Sequence, residues 1–240
     1  MFRRMRPEIL FPLFSPVSTL KGVGPKVAPL AEKLAGPLVR DMLFLGPQSL
    51  IHRTPTTVDS VVDGQVHTLI VDIEQHARPP RMDVPYKIRA FDGTAFLTLI
   101  WFRGHGEHLL RNHPVGSRRV VSGRIERWGS EIQMAHPDWI VPVEKAGDVP
   151  EIEAVYPATA GLAARTVRKL ALEALSRAPE LPEWQDPAWM AREGFSGWRA
   201  ALEAFHNPET EADLSPLSPA RRRLAYDELL AHQLALAQRK

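Results

Sequence analysis

The chain has no cysteine. That excludes disulfides and cysteine-ligated zinc, and it fits a reducing, cytoplasmic compartment. It also has no Gly-Lys-Ser or Gly-Lys-Thr, so the loop that cradles ATP phosphates is missing from these 240 residues. Long apolar runs are absent as well. The main cluster near the start, Ile9-Leu10-Phe11-Pro12-Leu13-Phe14, is far too short to span a bilayer and is broken by a proline. No small-residue cleavage pattern follows it, so no signal peptide is read and no membrane is expected as a partner. Charge of one sign is nearly lacking: the net is +2, although the pI is about 9.0. Any nucleic-acid binding must therefore use local patches rather than a global field.

What is present argues for a folded chain. The apolar fraction is 44%, enough for a real core, and 22 prolines favour several short elements over one long bundle. Between Gln65 and Val143 the pattern reads as five strands: Gln65–Ile73, Val84–Asp92, Ala95–Phe102, Ser117–Arg127 and Glu131–Ile140. A short helix, Gly104–Asn112, follows the third. Asp92-Gly93-Thr94 and Trp128-Gly129-Ser130 supply the tight turns. This order is that of an OB-fold, a five-stranded Greek-key barrel that often binds oligonucleotides. The fold class is α+β, with helices on both sides of the barrel.

Residues 1–16 read as a basic, proline-punctuated lead-in with a frayed end. Residues 17–60 read as helical, and Leu20-Lys21-Gly22-Val23-Gly24-Pro25-Lys26 resembles the turn of a helix-hairpin-helix motif. Gly22, Gly24 and Lys26 are candidates for meeting a DNA phosphate; the alternative is a turn that only packs. After Asp148 the pattern is again helical, over Thr166–Ser176, Trp198–Phe205 and from Ala220 to the end. Ala178–Asp186 reads as a loop. The last helix begins Arg221-Arg222-Arg223 and carries Leu229, Leu230, Leu234 and Leu236 without evident partners, as at a domain boundary. The expected partition is a helical segment 1–60, a barrel 61–146 and a helical linker 147–240.

Candidate binding residues follow from interleaved rings and cations, which suit stacking of unpaired bases beside their phosphates. The aromatic candidates are Phe102 and Trp128, with His108 as an imidazole that can stack. The cationic ones are Lys87, Arg89, Arg103, Arg118, Arg119, Arg124 and Arg127. Each arginine alone could be a solvated strand edge; the cluster is what suggests a strand of nucleic acid. His105, His108 and His113 fit no familiar metal-ligand spacing, and no nucleophile elbow occurs. No catalytic residue and no metal are expected, and no cofactor in this chain.

Six short motifs, taken in order, resemble the N-terminal part of RecG-type ATP-dependent DNA helicases. They are Leu20–Lys26 with Asp41-Met42-Leu43-Phe44, then Phe91-Asp92-Gly93-Thr94 with Trp101-Phe102, and Val121-Ser122-Gly123-Arg124-Ile125. Met134-Ala135-His136-Pro137-Asp138, Val155–Leu162 and Arg223–Leu230 complete the set. The resemblance implies a wedge: a barrel placed at the junction of branched DNA, which parts the arms and stacks unpaired bases on aromatic rings. It places Phe102 on the family's stacking position and His108 where the family carries a tyrosine. Of the family's Arg-Tyr-Glu-Asp-Arg run, Gln48–Arg53 keeps only Arg53. It further implies a motor in cis, C-terminal to this chain, that would use ATP and Mg; these 240 residues are expected to be inactive alone. The expected state is a monomer bound to branched or single-stranded DNA, in repair and recombination at replication forks and Holliday junctions. Two other readings stand beside it, a free-standing single-strand-binding protein and a barrel that contacts another protein.

Overall fold

The computed structural model describes residues 7–81, 84–102 and 106–238. In chain order, helices α1 (Ala28–Leu34) and α2 (Val39–Leu43) precede strands β1 (Ser49–His52) and β2 (Thr54–Pro55). Strands β3 (Val66–Ala77), β4 (Tyr86–Phe91) and β5 (Phe96–Trp101) come next, then α3 (Gly106–Asn112). They are followed by β6 (Arg118–Arg124), β7 (Glu126–Trp128), β8 (Glu131–Ala135), β9 (Trp139–Pro142) and β10 (Ile152–Val155). Helices α4 (Ala164–Ser176), α5 (Pro187–Glu193), α6 (Trp198–His206) and α7 (Pro219–Ala237) complete the chain.

These elements form two compact units. One runs from Ile51 to Glu153; the other joins the residues up to Leu50 with those from Ala154 onward. The partition read from the sequence differs, because helical periodicity does not say which helices share a core. The segments on either side of the barrel contribute to one cluster, in which Val39, Met42, Leu43, Val167, Ala171 and Leu202 are fully enclosed. Two further expectations change here. Residues 17–60 hold two short helices and then extended backbone, and the lead-in is ordered from Glu8, where a 3₁₀ turn over Glu8–Phe14 buries Leu13.

The Ile51–Glu153 unit is the OB-fold barrel. Its sheet runs β7-β8-β5-β4-β3-β6-β9, with β2 alongside β3. Alternation explains the core: Ile88, Ala90, Leu97, Leu99, Val121 and Met134 point inward and are fully buried. The β4–β5 turn is built as its sequence demands. Gly93 takes φ +95°, and the Asp92 carboxylate accepts the Thr94 and Ala95 amides at 2.8 and 3.1 Å.

The last two expected strands are each divided. Ser117–Arg127 becomes β6 and β7, separated at Ile125, whose side chain is fully buried. Glu131–Ile140 becomes β8 and β9, separated at His136, where φ is +47°. The division closes the barrel: β8 pairs parallel with β5, and β9 pairs antiparallel with β6, at opposite ends of the sheet path. One continuous straight strand could not lie against both.

In the other unit, Asp41 accepts the Leu38 amide at 2.9 Å and so starts α2, whose Met42 and Leu43 enter the core. The buried His206 bridges two elements, its Nε2 donating to the Leu43 carbonyl and its Nδ1 accepting from the Tyr156 hydroxyl, each at 2.7 Å. Arg223 is completely enclosed and donates to Glu183 and Asp227, both at 2.9 Å. The three consecutive arginines that open α7 are thus used internally. Arg221 donates to the Pro47 carbonyl and Arg222 to Glu193, leaving no basic stripe on that turn. Leu229, Leu234 and Leu236 are exposed.

Candidate nucleic-acid interface

Phe102 lies one residue past the end of β5, in the turn that leaves the barrel, where the sequence reading makes it the last residue of the strand. Its ring is 57% exposed, so it is not a core residue. Its backbone N–H donates to Nε2 of His136 at 3.4 Å, and the two rings lie 5.5 Å apart. His136 was not singled out as a site residue from the sequence. The available signal was a histidine between two apolar runs, since histidine is among the side chains that tolerate left-handed backbone.

Helix α3 begins close by in the chain and presents His108 to solvent. Asn112, one turn on, lies 2.9 Å from the His108 ring, and its carbonyl accepts from Arg119 at 2.9 Å. Arg119 and His108 are thereby brought to the same end of the barrel. His113 is buried beneath them; desolvation, with Arg119 adding repulsion, pushes its pKa down to about 4. It stays neutral at physiological pH. Among the described residues no group of three His, Cys, Asp or Glu side chains could hold a metal ion. Arg103 and His105 lie outside the described residues.

The remaining candidates divide into two further groups. Lys87 and Arg89 point outward from β4, opposite Ile100 and Thr98 of β5. Arg89 stacks over the Phe96 ring at 3.8 Å, and Phe96 is 46% exposed. Lys87 reaches Glu131 at 4.0 Å. The hydroxyl of Thr98, donating at 2.8 Å, holds the Glu131 carboxyl below the usual range, opposed by partial burial and helped by Gln133 and Lys87. Trp128 pairs with Glu131 across the β7–β8 hairpin and is 80% exposed. The register sets Trp128 and Phe96 near the start of β5, whereas Phe102 follows its end. At about 3.3 Å per residue β5 is itself roughly 17 Å long, so the two aromatic positions stand at opposite ends of it.

The other β6 and β7 arginines differ in their surroundings. Arg124 donates to the Gly64 carbonyl and Arg127 to the Val61 carbonyl, which draws both back onto the barrel. Arg118 stays mostly exposed, 3.9 Å from Asp72. It lines a groove of about 400 Å3 with Thr68, Ile70 and Val120 on the outer face of β3 and β6. In the other unit, Gly22 (φ +90°) and Gly24 form an exposed turn where an added Cβ would meet nothing. Lys26 beside them is exposed too, but the Val27 and Ala28 amides are already bonded to the Gly24 carbonyl.

No family model matches this chain. Among curated relatives, the ATP-dependent DNA helicase RecG of Acidithiobacillus ferridurans is 29% identical over 238 residues, covering 93% of this chain and 32% of the relative. RecG of Escherichia coli (strain K12) is 30% identical over 242 residues, covering 92% and 33%. The fold superposes on the solved structure of RecG bound to a three-way DNA junction with a TM-score of 0.75, at 22% identity, over 98% of this chain and 32% of that one. The chain spans about a third of the length of the curated relatives it matches.

Proposed function

We infer that this chain, which matches the N-terminal portion of RecG-type ATP-dependent DNA helicases over nearly its whole length, is a module that binds branched DNA. Its substrate class is the replication fork or Holliday junction of repair and recombination. The observation that carries the reading is Phe102, a phenylalanine ring exposed at the mouth of an OB-fold barrel and seated on a second ring. An exposed ring so placed offers one face to an unpaired base, a contact worth about 1–3 kcal/mol. His108 and Arg119 on the same end supply a second, smaller stacking surface and a cation.

The outer face of β4 and β5 favours a second contact with one single strand. There Arg89 lies on Phe96, Lys87 is near, and Trp128 is open to solvent. Arg103 and Arg118 contribute charge toward phosphates, as does Lys26 beside the Gly22–Gly24 turn in the helical unit, whereas Arg124 and Arg127 are bonded back onto the barrel. Chemistry would come from a motor in cis, C-terminal to this chain, using ATP and Mg. The exposed leucines of α7 are the surface such a motor would cover. The module acts as a monomer in the cytoplasm; no described helix is long and apolar enough to cross a membrane.

The test is fluorescence anisotropy with labelled fork, linear duplex and single-stranded DNA. Forks should bind more tightly than blunt duplex, and Phe102→Ala should cost about 1–3 kcal/mol of fork binding with thermal melting nearly unchanged. Equal affinity for fork and duplex, or a Phe102→Ala chain that binds forks as well as the parent, overturns the reading.

A further inference from the structure

We infer that His136 is a positioning residue for Phe102, fixing its backbone and ring in the pose in which the ring meets an unpaired base. The inference rests on the branched-DNA reading and adds to it a residue that never needs to touch DNA.

Among the described residues His136 is the only non-glycine with positive φ. Left-handed backbone is unfavourable for a residue with a Cβ, so the surroundings must impose it. Three contacts do so. The His136 N–H donates to the Ile100 carbonyl at 2.8 Å, one step beyond the last β5–β8 pair, Ile100 with Ala135. Arg53 donates from Nη1 to Asp138 at 3.1 Å and pins the far side of the turn. Beneath it lies Gly123 of β6, where a Cβ would come within 3.3 Å of the Pro137 Cα and 3.0 Å of the Met134 sulfur. The turn therefore lies closer to β6 than any side chain would comfortably allow.

The forced conformation has one product on the exposed side. It turns the imidazole so that Nε2 accepts the Phe102 N–H, the first backbone donor past the end of β5. To accept there, the neutral ring carries its proton on Nδ1. The same ring backs the Phe102 side chain at an interplanar angle of 47°. A phenylalanine in a turn would otherwise sample several rotamers, and a base would have to select one. Holding the ring beforehand removes that ordering cost from binding.

Four variants of the full 240-residue chain, titrated with a labelled fork, test this. Phe102→Ala should weaken binding roughly five- to 150-fold. His136→Gly removes the ring and the acceptor while favouring the backbone; it should weaken binding at least about threefold without lowering the melting temperature. His136→Gln carries an amide oxygen at about the reach of Nε2, so it should recover part of the binding lost in His136→Gly. In the double variant, His136→Gly should add nothing to Phe102→Ala, because it acts only through that ring. Additive losses in the double variant, or no loss in His136→Gly where Phe102→Ala shows one, overturn the inference and leave the branched-DNA reading standing. Failure of the Gln variant to recover any binding, while it melts like the parent, also overturns it. No loss in Phe102→Ala overturns the branched-DNA reading itself.

Discussion

Arg53→Met should destabilise the barrel severely, and the structure says by how much. The Arg53 side chain is almost completely enclosed, the residue being 3% exposed. It donates from Nε and Nη2 to one oxygen of Glu153, at 3.2 and 2.5 Å, and from Nη1 to Ser122 and Asp138, both at 3.1 Å. Glu153 is buried as well, so removing the guanidinium takes away the cation that bonds this carboxylate at 2.5 Å. The Trp139 indole N–H still reaches it at 3.3 Å, a neutral donor that cannot replace a cation. Breaking a buried ion pair by removing one member costs about 3–5 kcal/mol. Asp138 is half exposed and should add under about 1 kcal/mol. With a urea m-value of roughly 1–3 kcal/mol per molar, the midpoint should fall by at least about 1 M. Circular dichroism in urea measures this directly. Arg53→Met/Glu153→Leu should recover most of the loss, because replacing both charges by apolar groups removes the penalty instead of exposing it. A single variant within about 1 kcal/mol of the parent, or a double variant no more stable than the single, refutes the argument.

Further outcomes follow from other parts of the molecule. His206 is held neutral by burial, its pKa pushed down to about 4 from 6.5, and His113 is held likewise. The unfolded chain therefore takes up protons first as pH falls, and stability is lost between about pH 6.5 and 4, by roughly 2 kcal/mol per histidine at pH 5. Urea melts at pH 7 and 5 should show the loss, and His206→Gln should reduce it. Fork binding should weaken between low and moderate salt as arginines give up phosphate contacts to counterions, and a flat salt profile would argue against cationic contacts. Gly46→Ala should destabilise the helical unit by about 1–3 kcal/mol, since the new methyl group would collide with the Phe205 ring; melting temperature is the readout. The purified chain should show no DNA-stimulated ATP hydrolysis above a buffer control, because it has no Gly-Lys-Ser or Gly-Lys-Thr.

The order of the barrel strands was legible because its signals are local. Asp92-Gly93 marks a turn wherever it stands between alternating runs, and Leu97 and Leu99 declare an inner face. The division at Ile125 was not legible, since apolar alternation runs straight through it, whereas His136-Pro137-Asp138 did interrupt the pattern and was read through. Strands β1 and β10 were missed for a different reason: their partners lie about 100 residues apart, and nothing in Ser49–His52 hints at Ile152–Val155. Within the candidate site, Phe102 is exposed rather than in the core, and the arginines show the limit of composition. Arg124 and Arg127 look identical to Arg118 on paper. Only the fold reveals that the first two turn back onto the carbonyls of Gly64 and Val61. Arg53, the lone survivor of a longer motif, proved to be the buried hub beneath the His136 turn.

The helical unit draws its core from both sides of the barrel, and this constrains how the protein is made. When Leu50 leaves the ribosome, the residues of α1 and α2 have been made, but Val167, Leu170 and Leu202, against which that core closes, have yet to be synthesised. The intervening 51–153 segment has everything it needs and can fold as soon as it emerges, as domains generally do during synthesis. At roughly 5–20 residues per second, the first fifty residues wait several seconds with their apolar side chains unsatisfied. Their brevity and frequent prolines are an asset during that interval, because short broken helices offer aggregation little to pair with. Completion then comes from the C-terminal helices, so the helical unit closes only after the barrel has already formed.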